Sequence, residues 1–303
     1  RLFGNVVLNY KFTDYLKAFV RVGTDYTQQQ QTRRRAFSTQ RFPFGSYREN
    51  KLINEERNLD FLLSFNKRFD DINLAINAGG NQRNVNGNML DVSAPQLIIP
   101  GTYSLANTRV ALISDQYDTR RRVNSIYGSA QVDYRDFLFL ELTARNDWAS
   151  SLTLPFGASP TSTSDNAYFY PSASLSFVLN GAMDLPDWWS YAKVRAGFAQ
   201  VGNDTDPYTF AQPYLRTDPY GSFPAFSESG RLPNYNLLPE ISDSYEVGTE
   251  LRFFNNRLNF DFTYYNITTR NQILTNVPLS YSSGLSSMVM NAGKIRNWGY
   301  EAM

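Results

Sequence analysis

Two residue types are missing altogether: the 303 residues include no cysteine and no histidine. The first absence excludes a disulfide framework and a thiol nucleophile. The two together exclude Cys/His zinc sites, and the lack of histidine excludes a Ser-His-Asp triad. Also missing is any 18-residue apolar run, which excludes membrane-spanning helices. It does not exclude a membrane barrel, whose strands alternate and so average out as polar. An excess of charge of one sign is missing too, with 29 Lys and Arg against 28 Asp and Glu. A formal net charge of +1 gives no reason to expect nucleic acid. No signal peptide is expected at the N-terminus, because "RLFGNVVLNYKF" is strand-like from the start; a mature or partial chain reads the same way.

What is present is alternation. The chain is 42% hydrophobic and 15% aromatic. In "LNFDFTYY" (258–265), Leu258, Phe260, Phe262 and Tyr264 recur every second residue, with Asn259, Asp261 and Thr263 between them. Period 2 marks a strand with one apolar and one polar face. The same reading predicts eleven strands, near 3–12, 16–27, 57–67, 72–81, 123–134, 137–147, 168–179, 191–202, 241–254, 257–271 and 293–303. Only "DLPDWWSY" (184–191) suggests a helical turn. Tight turns are expected at Thr13-Asp14, Phe69-Asp70-Asp71, Asp136 and Asn255-Asn256, and a slightly longer one from Asn180-Gly181. Long segments alternate with them, near 28–56, 82–122, 148–167, 203–240 and 272–292. Long loops on every second connection emerge at one end of an up-and-down meander. That is the layout of an outer-membrane barrel with short periplasmic turns.

The apolar face includes Val6, Leu8, Val20, Val22, Leu59, Phe61, Leu140, Leu142, Leu175, Leu179, Val194 and Val247. Ionisable residues of both signs occupy the other face at mid-strand, as a watery lumen requires. The candidates for lining it are Arg21, Asp25, Asp133, Glu141, Arg145, Asp147, Arg195, Glu246, Glu250 and Asp261. Tyr and Phe are expected to gather at strand ends (Tyr10, Tyr15, Tyr26, Tyr134, Phe253, Phe254, Tyr264, Tyr265), where interfacial girdles sit. A soluble β-sandwich or propeller also alternates and stays open as an alternative. Eleven is an odd count, whereas single-chain bacterial barrels use even ones, so the residues read as part of a longer barrel.

Several stretches resemble the SusC/RagA family of TonB-dependent outer-membrane transporters. They are "YGSAQVDYRDFLFLELTARNDWASSL" (127–152), "FYPSASLSFVL" (169–179), "WWSYAKVRAGFAQVGN" (188–203), "LLPEISDSYEVGTELRFFNNRLNFDFTYYNITTRNQIL" (237–274) and "NAGKIRNWGYEAM" (291–303), in the family's order and spacing. The resemblance implies an all-β, transmembrane antiparallel up-and-down barrel, with about 11 strands here of a 22-stranded whole. No plug domain is recognised in these residues, so 1–303 reads as a middle portion of the barrel domain. The implied function is TonB-dependent uptake of an oligosaccharide or peptide across the outer membrane of one of the Bacteroidota. A SusD-like lipoprotein lid is the implied partner, and the TonB-ExbB-ExbD complex would act through a segment not present here.

Other patterns carry less specific chemistry. Glu246 with Glu250, and Glu141 with Asp147, share a strand face and suggest glycoside hydrolysis, but lumen charges offset by Arg145, Arg195 and Arg252 are the expected reading, and no enzyme activity is expected. "TRRR" occurs at 32–35 and 119–122; solvated loop charge is the default, and contact with membrane lipid and lipopolysaccharide phosphates the sharper alternative. "GNDTDPY" (202–208) makes Asp204 and Asp206 weak Ca²⁺ candidates, against a plain Asx turn. No cofactor is expected. In the aromatic stretches 164–171 and 218–236, Tyr168, Tyr170, Tyr220, Phe223, Phe226 and Tyr235 are candidates for substrate or lid contact, or else for packing the loops on one another.

Overall fold

The structure is a computed structural model and describes residues 1–153 and 166–303. Eleven strands form one antiparallel sheet: β1 (Leu2–Lys11), β2 (Leu16–Thr39), β3 (Phe42–Phe69), β4 (Ile72–Ala94), β5 (Ile113–Tyr134), β6 (Leu138–Ala149), β7 (Ala167–Val178), β8 (Trp189–Asn203), β12 (Glu240–Phe253), β13 (Leu258–Arg270) and β16 (Lys294–Ala302). Five short strands lie in the connections. Of these, β9 (Tyr214–Tyr220) and β10 (Phe223–Glu228) form a hairpin. The other three, β11 (Arg231–Leu232), β14 (Ile273–Pro278) and β15 (Ser287–Asn291), form a small sheet ordered β11-β15-β14. In the large sheet spatial order follows chain order, so every strand pairs with its sequence neighbours, as in a meander.

Those eleven strands match the eleven expected from periodicity. Four of them run much further. β2 and β3 continue through 28–56, expected as a loop, and turn only at Gln40-Arg41; within 82–122, only 95–112 lies outside β4 and β5. The cause is visible in "TDYTQQQQTRRR" and "RENKLINEERN": apart from Tyr26 and the adjacent Leu52 and Ile53 both faces are polar there, so the backbone keeps its ladder while the hydrophobic period disappears. The expected segments 203–240 and 272–292 contain β9–β11, β14 and β15. Of the expected loop 148–167, residues 154–165 lie outside the described residues. Among the described residues the one α-helical turn, α1, is Leu179–Ala182 rather than 184–191, so Leu179 is not a strand residue. Asn180 fixes it: its Oδ1 accepts from Ala192 N–H at 2.8 Å and its Nδ2 donates to Ser190 O at 3.3 Å.

Two compact units follow from the contacts: residues 1–8, 20–60 and 82–122, and residues 9–19, 61–81 and 123–303. In the second unit the short turns lie side by side. Asn66 N–H donates to Tyr15 O, Arg135 N–H to Asp71 O, Val178 N–H to Phe137 O and Phe254 N–H to Trp188 O. Arg135 also pairs with Asp71 at 2.8 Å, and Arg68 with Asp136 at 3.1 Å. Left-handed φ values at Asp70, Arg135, Asp136, Asn255 and Asn256 supply the reversals. Arg135, which alternation alone would place on the polar strand face, is therefore a turn residue. Aromatic rings collect at this end: Trp188 stacks on Phe253 at 5.7 Å, Phe137 meets Phe177 at 5.8 Å, and Tyr15 meets Phe65 at 5.7 Å. Tyr264 and Tyr265 do not belong to that band. Both sit in the middle of β13, and Tyr265, opposite Glu246, is on the polar face.

Register sorts the faces strand by strand. Val132, Leu140, Leu175, Ala196, Val247, Tyr264 and Tyr300 line up on one face across β5 to β16; Gln131, Glu141, Ser174, Gly197, Glu246, Tyr265 and Gly299 line up on the other. The apolar face is solvent-exposed, with Leu175, Val194, Val247 and Phe260 all open. It covers no core. Buried apolar packing in the second unit gathers instead where strands meet the connections. Val123, Ala149, Leu152, Tyr168, Phe210, Leu237 and Val289 form one cluster there. In the first unit Tyr47, Ala94 and Leu97 form another, against Phe37, Tyr103 and Leu105.

Candidate functional site

The polar face carries ion pairs in which each arginine has a carboxylate within reach. In the first unit Arg1 meets Asp25 at 2.5 Å, Arg21 meets the buried Asp60 at 2.8 Å and Arg83 meets Glu56 at 2.7 Å. Arg21, Asp25, Glu56 and Asp60 line one open cavity of about 460 Å³. In the second unit Asn73 Nδ2 and Gln131 Nε2 both donate to Asp133, each at 3.0 Å. Glu141 lies between Gln131 and Ser174 in the register.

Two arginines organise the rest of this wall. Arg145 donates to Asp147 at 2.8 Å and to Ser125 at 2.9 Å, and the Tyr170 hydroxyl donates to the same Asp147 at 2.7 Å. Arg195 donates to Thr263 Oγ1 at 2.6 Å and lies 3.2 Å from Asp261 and 3.6 Å from Glu246. Gly248 faces Arg195 across the β8–β12 ladder. A Cβ there would come 2.7 Å from Arg195 Nε and 3.0 Å from Thr263 Oγ1. The glycine is thus the floor on which the guanidinium rests. Glu250 pairs with Arg252 at 2.5 Å. Asp60 and Thr263, polar-face residues outside the ten lining candidates, complete these networks. Their only signal was position on the polar face.

Carboxylates held this way accept charge-assisted hydrogen bonds from the guanidinium groups. Glu246, Glu250 and Asp147 each stand beside an arginine, Arg195, Arg252 and Arg145 in turn. The arrangement is a wettable wall of alternating sign.

The connections divide the aromatic candidates. Tyr168 is 7% exposed within the loop cluster and stacks on Tyr170 at 5.9 Å, while Tyr170 and Tyr235 pack against the same cluster. These three hold the connections together. Tyr220, Phe223 and Phe226 stand out from the β9–β10 hairpin at 86%, 72% and 62% exposure, and Tyr214 and Leu215 of the same hairpin are open too. Asp204 is buried and accepts a hydrogen bond from Ser151 Oγ, and Asp206 O accepts from Thr209 Oγ1 at 2.7 Å. Among the described residues no group of three or more His, Cys, Asp or Glu side chains forms a metal-binding cluster. The partner of Asp204, Ser151, comes from a separate stretch of the chain, at the end of β6.

Residues 1–303 match the family model described as "TonB dependent receptor-like, beta-barrel". The chain belongs to that family. Two curated relatives, both from Formosa agariphila, are TonB-dependent receptor P3, 25% identical over 255 residues, and TonB-dependent receptor P26, 28% identical over 200 residues. The aligned regions cover 79% and 64% of this chain but only 24% and 19% of the relatives, so the chain spans about a quarter or less of their length. Among solved structures, the RagAB peptide transporter superposes with a TM-score of 0.85 at 17% identity, over 98% of this chain and 33% of that one. At that identity the likeness shows the fold. It agrees with the SusC/RagA resemblance of the five quoted stretches. As a TonB-dependent receptor barrel the protein resides in the outer membrane, and its exposed apolar face is the one that meets lipid.

Proposed function

We propose that these strands form part of the wall of a nutrient importer of SusC/RagA type, whose polar face borders the route taken by an oligosaccharide or peptide. The observation that supports it most is the wall centred on Arg145 and Arg195. Ionisable groups of both signs stand at mid-strand opposite a lipid-facing apolar side, a distribution suited to a hydrated passage. The exposed β9–β10 aromatics are the proposed contact for cargo or for a SusD-like lipoprotein lid. Their rings offer apolar area at low entropic cost. TonB coupling belongs to the family's mode of action and is proposed here for the whole protein. No catalytic step is assigned to the wall carboxylates.

The test is growth of a strain lacking the gene on single oligosaccharides or peptides, complemented with the full-length protein. Loss of growth on one cargo class, restored by the intact protein and abolished when TonB is inactivated, is the expected outcome. Unchanged uptake of every cargo, or capture at the cell surface without entry, would refute import and favour a binding role.

A further inference from the structure

The outward face of the first unit changes character abruptly along β3. Leu59 is exposed and apolar, as are Val20 and Val22 of the neighbouring β2. The next residues on the same side, Arg57 and Glu55, are charged. One such step is about 7 Å along a strand. There, on the side away from the short turn after Phe69, a groove of about 600 Å³ opens between β3, β4 and β5. Arg57, Arg120 and Arg122 converge on it, with Asn84, Asn86 and Asp118 among its walls. Arg57 pairs with Glu55 at 2.6 Å, and Arg122 Nε donates to Asn84 Oδ1 at 2.7 Å, so these two forks are held in place.

We propose that this groove binds the phosphorylated sugar headgroup of an outer-leaflet glycolipid. Three features select that ligand. The groove adjoins the apolar face at the height where acyl chains give way to headgroups. Guanidinium forks match phosphate oxygens in pairs. Side-chain amides and carboxylates beside them accept and donate to sugar hydroxyls, which a simple phospholipid headgroup does not supply. Solvated charge alone would not need three guanidiniums gathered into one concavity of headgroup size. The site is separate from the import route, because its residues alternate with the inward-facing Glu56 and Asn58. It therefore does not depend on the cargo being identified.

The experiment uses full-length protein in non-ionic detergent, titrated with lipopolysaccharide extracted from its own host. Parallel titrations use the same material dephosphorylated with hydrofluoric acid, and inorganic phosphate as competitor. The triple variant Arg57→Gln, Arg120→Gln, Arg122→Gln is expected to bind at least tenfold more weakly, and Arg83→Gln, which removes a charge from the opposite face, to bind like the parent. Dephosphorylation should weaken parental binding by a similar factor, while millimolar inorganic phosphate should not displace the lipid. Heat-resistant migration in a denaturing gel shows whether the triple variant is folded. If it is not, Arg120→Gln and Arg122→Gln singly should each weaken binding about threefold. Undiminished binding by folded variants, or by dephosphorylated lipid, overturns the proposal. Displacement by submillimolar inorganic phosphate would identify an anion site and overturn the lipid assignment.

Discussion

An arginine placed at Val247 should report directly on what the apolar face meets. Val247 is 52% exposed and stands between Ala196 of β8 and Tyr264 of β13. Phe253, stacked on Trp188, marks the aromatic band at the short-turn end of the same strand. The six residues from Phe253 to Val247 span about 20 Å at ~3.3 Å each. With a strand tilt of ~40°, that is about 15 Å of height, close to the middle of an apolar band ~25 Å tall. Val247→Arg should then cost about 2–4 kcal/mol, a factor of roughly 30 to 900 in the folding constant at ~1.36 kcal/mol per decade. Leu251, only two residues from Phe253, stands about 5 Å above the band, and Leu251→Arg should cost about 0–1 kcal/mol. On the inward side, Glu246→Gln removes a half-exposed partner 3.6 Å from Arg195 and should cost less than about 1 kcal/mol. Equilibrium unfolding of the full-length protein in urea, with refolding into phospholipid vesicles, measures all three. Equal costs at Val247 and Leu251 would remove the depth gradient. A larger cost at Glu246 than at Val247 would mean that the two faces have been exchanged.

Three further outcomes are expected. Gly248→Ala should displace the Arg195 guanidinium from Thr263 and Asp261 and destabilise by about 1–3 kcal/mol; combined with Arg195→Ala it should add much less than the two separate costs, which a double-mutant cycle in the same unfolding assay will show. Tyr168→Ala should destabilise by about 3–5 kcal/mol, as loss of a large buried ring does, whereas Tyr220→Ala and Phe226→Ala should leave stability unchanged and lower cargo capture. The Asp91 carboxyl, hydrogen-bonded by Arg48 and secondarily by Asn50, is held below the usual carboxylate range despite its burial. A depressed pKa contributes stability that is complete above the unfolded value of about 3.9 and is lost as pH falls through the folded one. Amide exchange in the outer part of β3 and β4 should accordingly quicken in acid below that pH in the parent and much less so in Asp91→Asn.

How far the sequence could be read depended on contrast between faces. Where one side meets lipid and the other water, as from Leu258 to Tyr264, alternation locates the strand, its faces and its turn together. Beyond the apolar band that contrast vanishes. The stretch from Gln28 to Gln31 has no apolar residue, yet it continues the β2 ladder. The loop cluster was hidden for another reason. Val123, Leu152, Phe210, Leu237 and Val289 come from five separate stretches, so no local period announces that they meet, and Tyr168 could not be told from an exposed tyrosine such as Tyr220. The ion-pair wall was half legible. Its members were identifiable by face, but the choice of Arg195 as the centre of Glu246, Asp261 and Thr263 depended on register and on the missing side chain of Gly248.

The long outer stretches of β2 to β5 have a further consequence for how this protein can change over generations. A strand that must show lipid on one side cannot accept a slipped alignment, because every side chain would then face the wrong medium. Polar strands with water on both sides are not policed in that way, and their alignment rests on a few specific ties such as Arg48 with Asp91 and Tyr47 against Leu97. While those ties persist, most neighbouring positions can be exchanged at little thermodynamic cost. These outer stretches, open to phages and antibodies, are thereby free to alter their appearance.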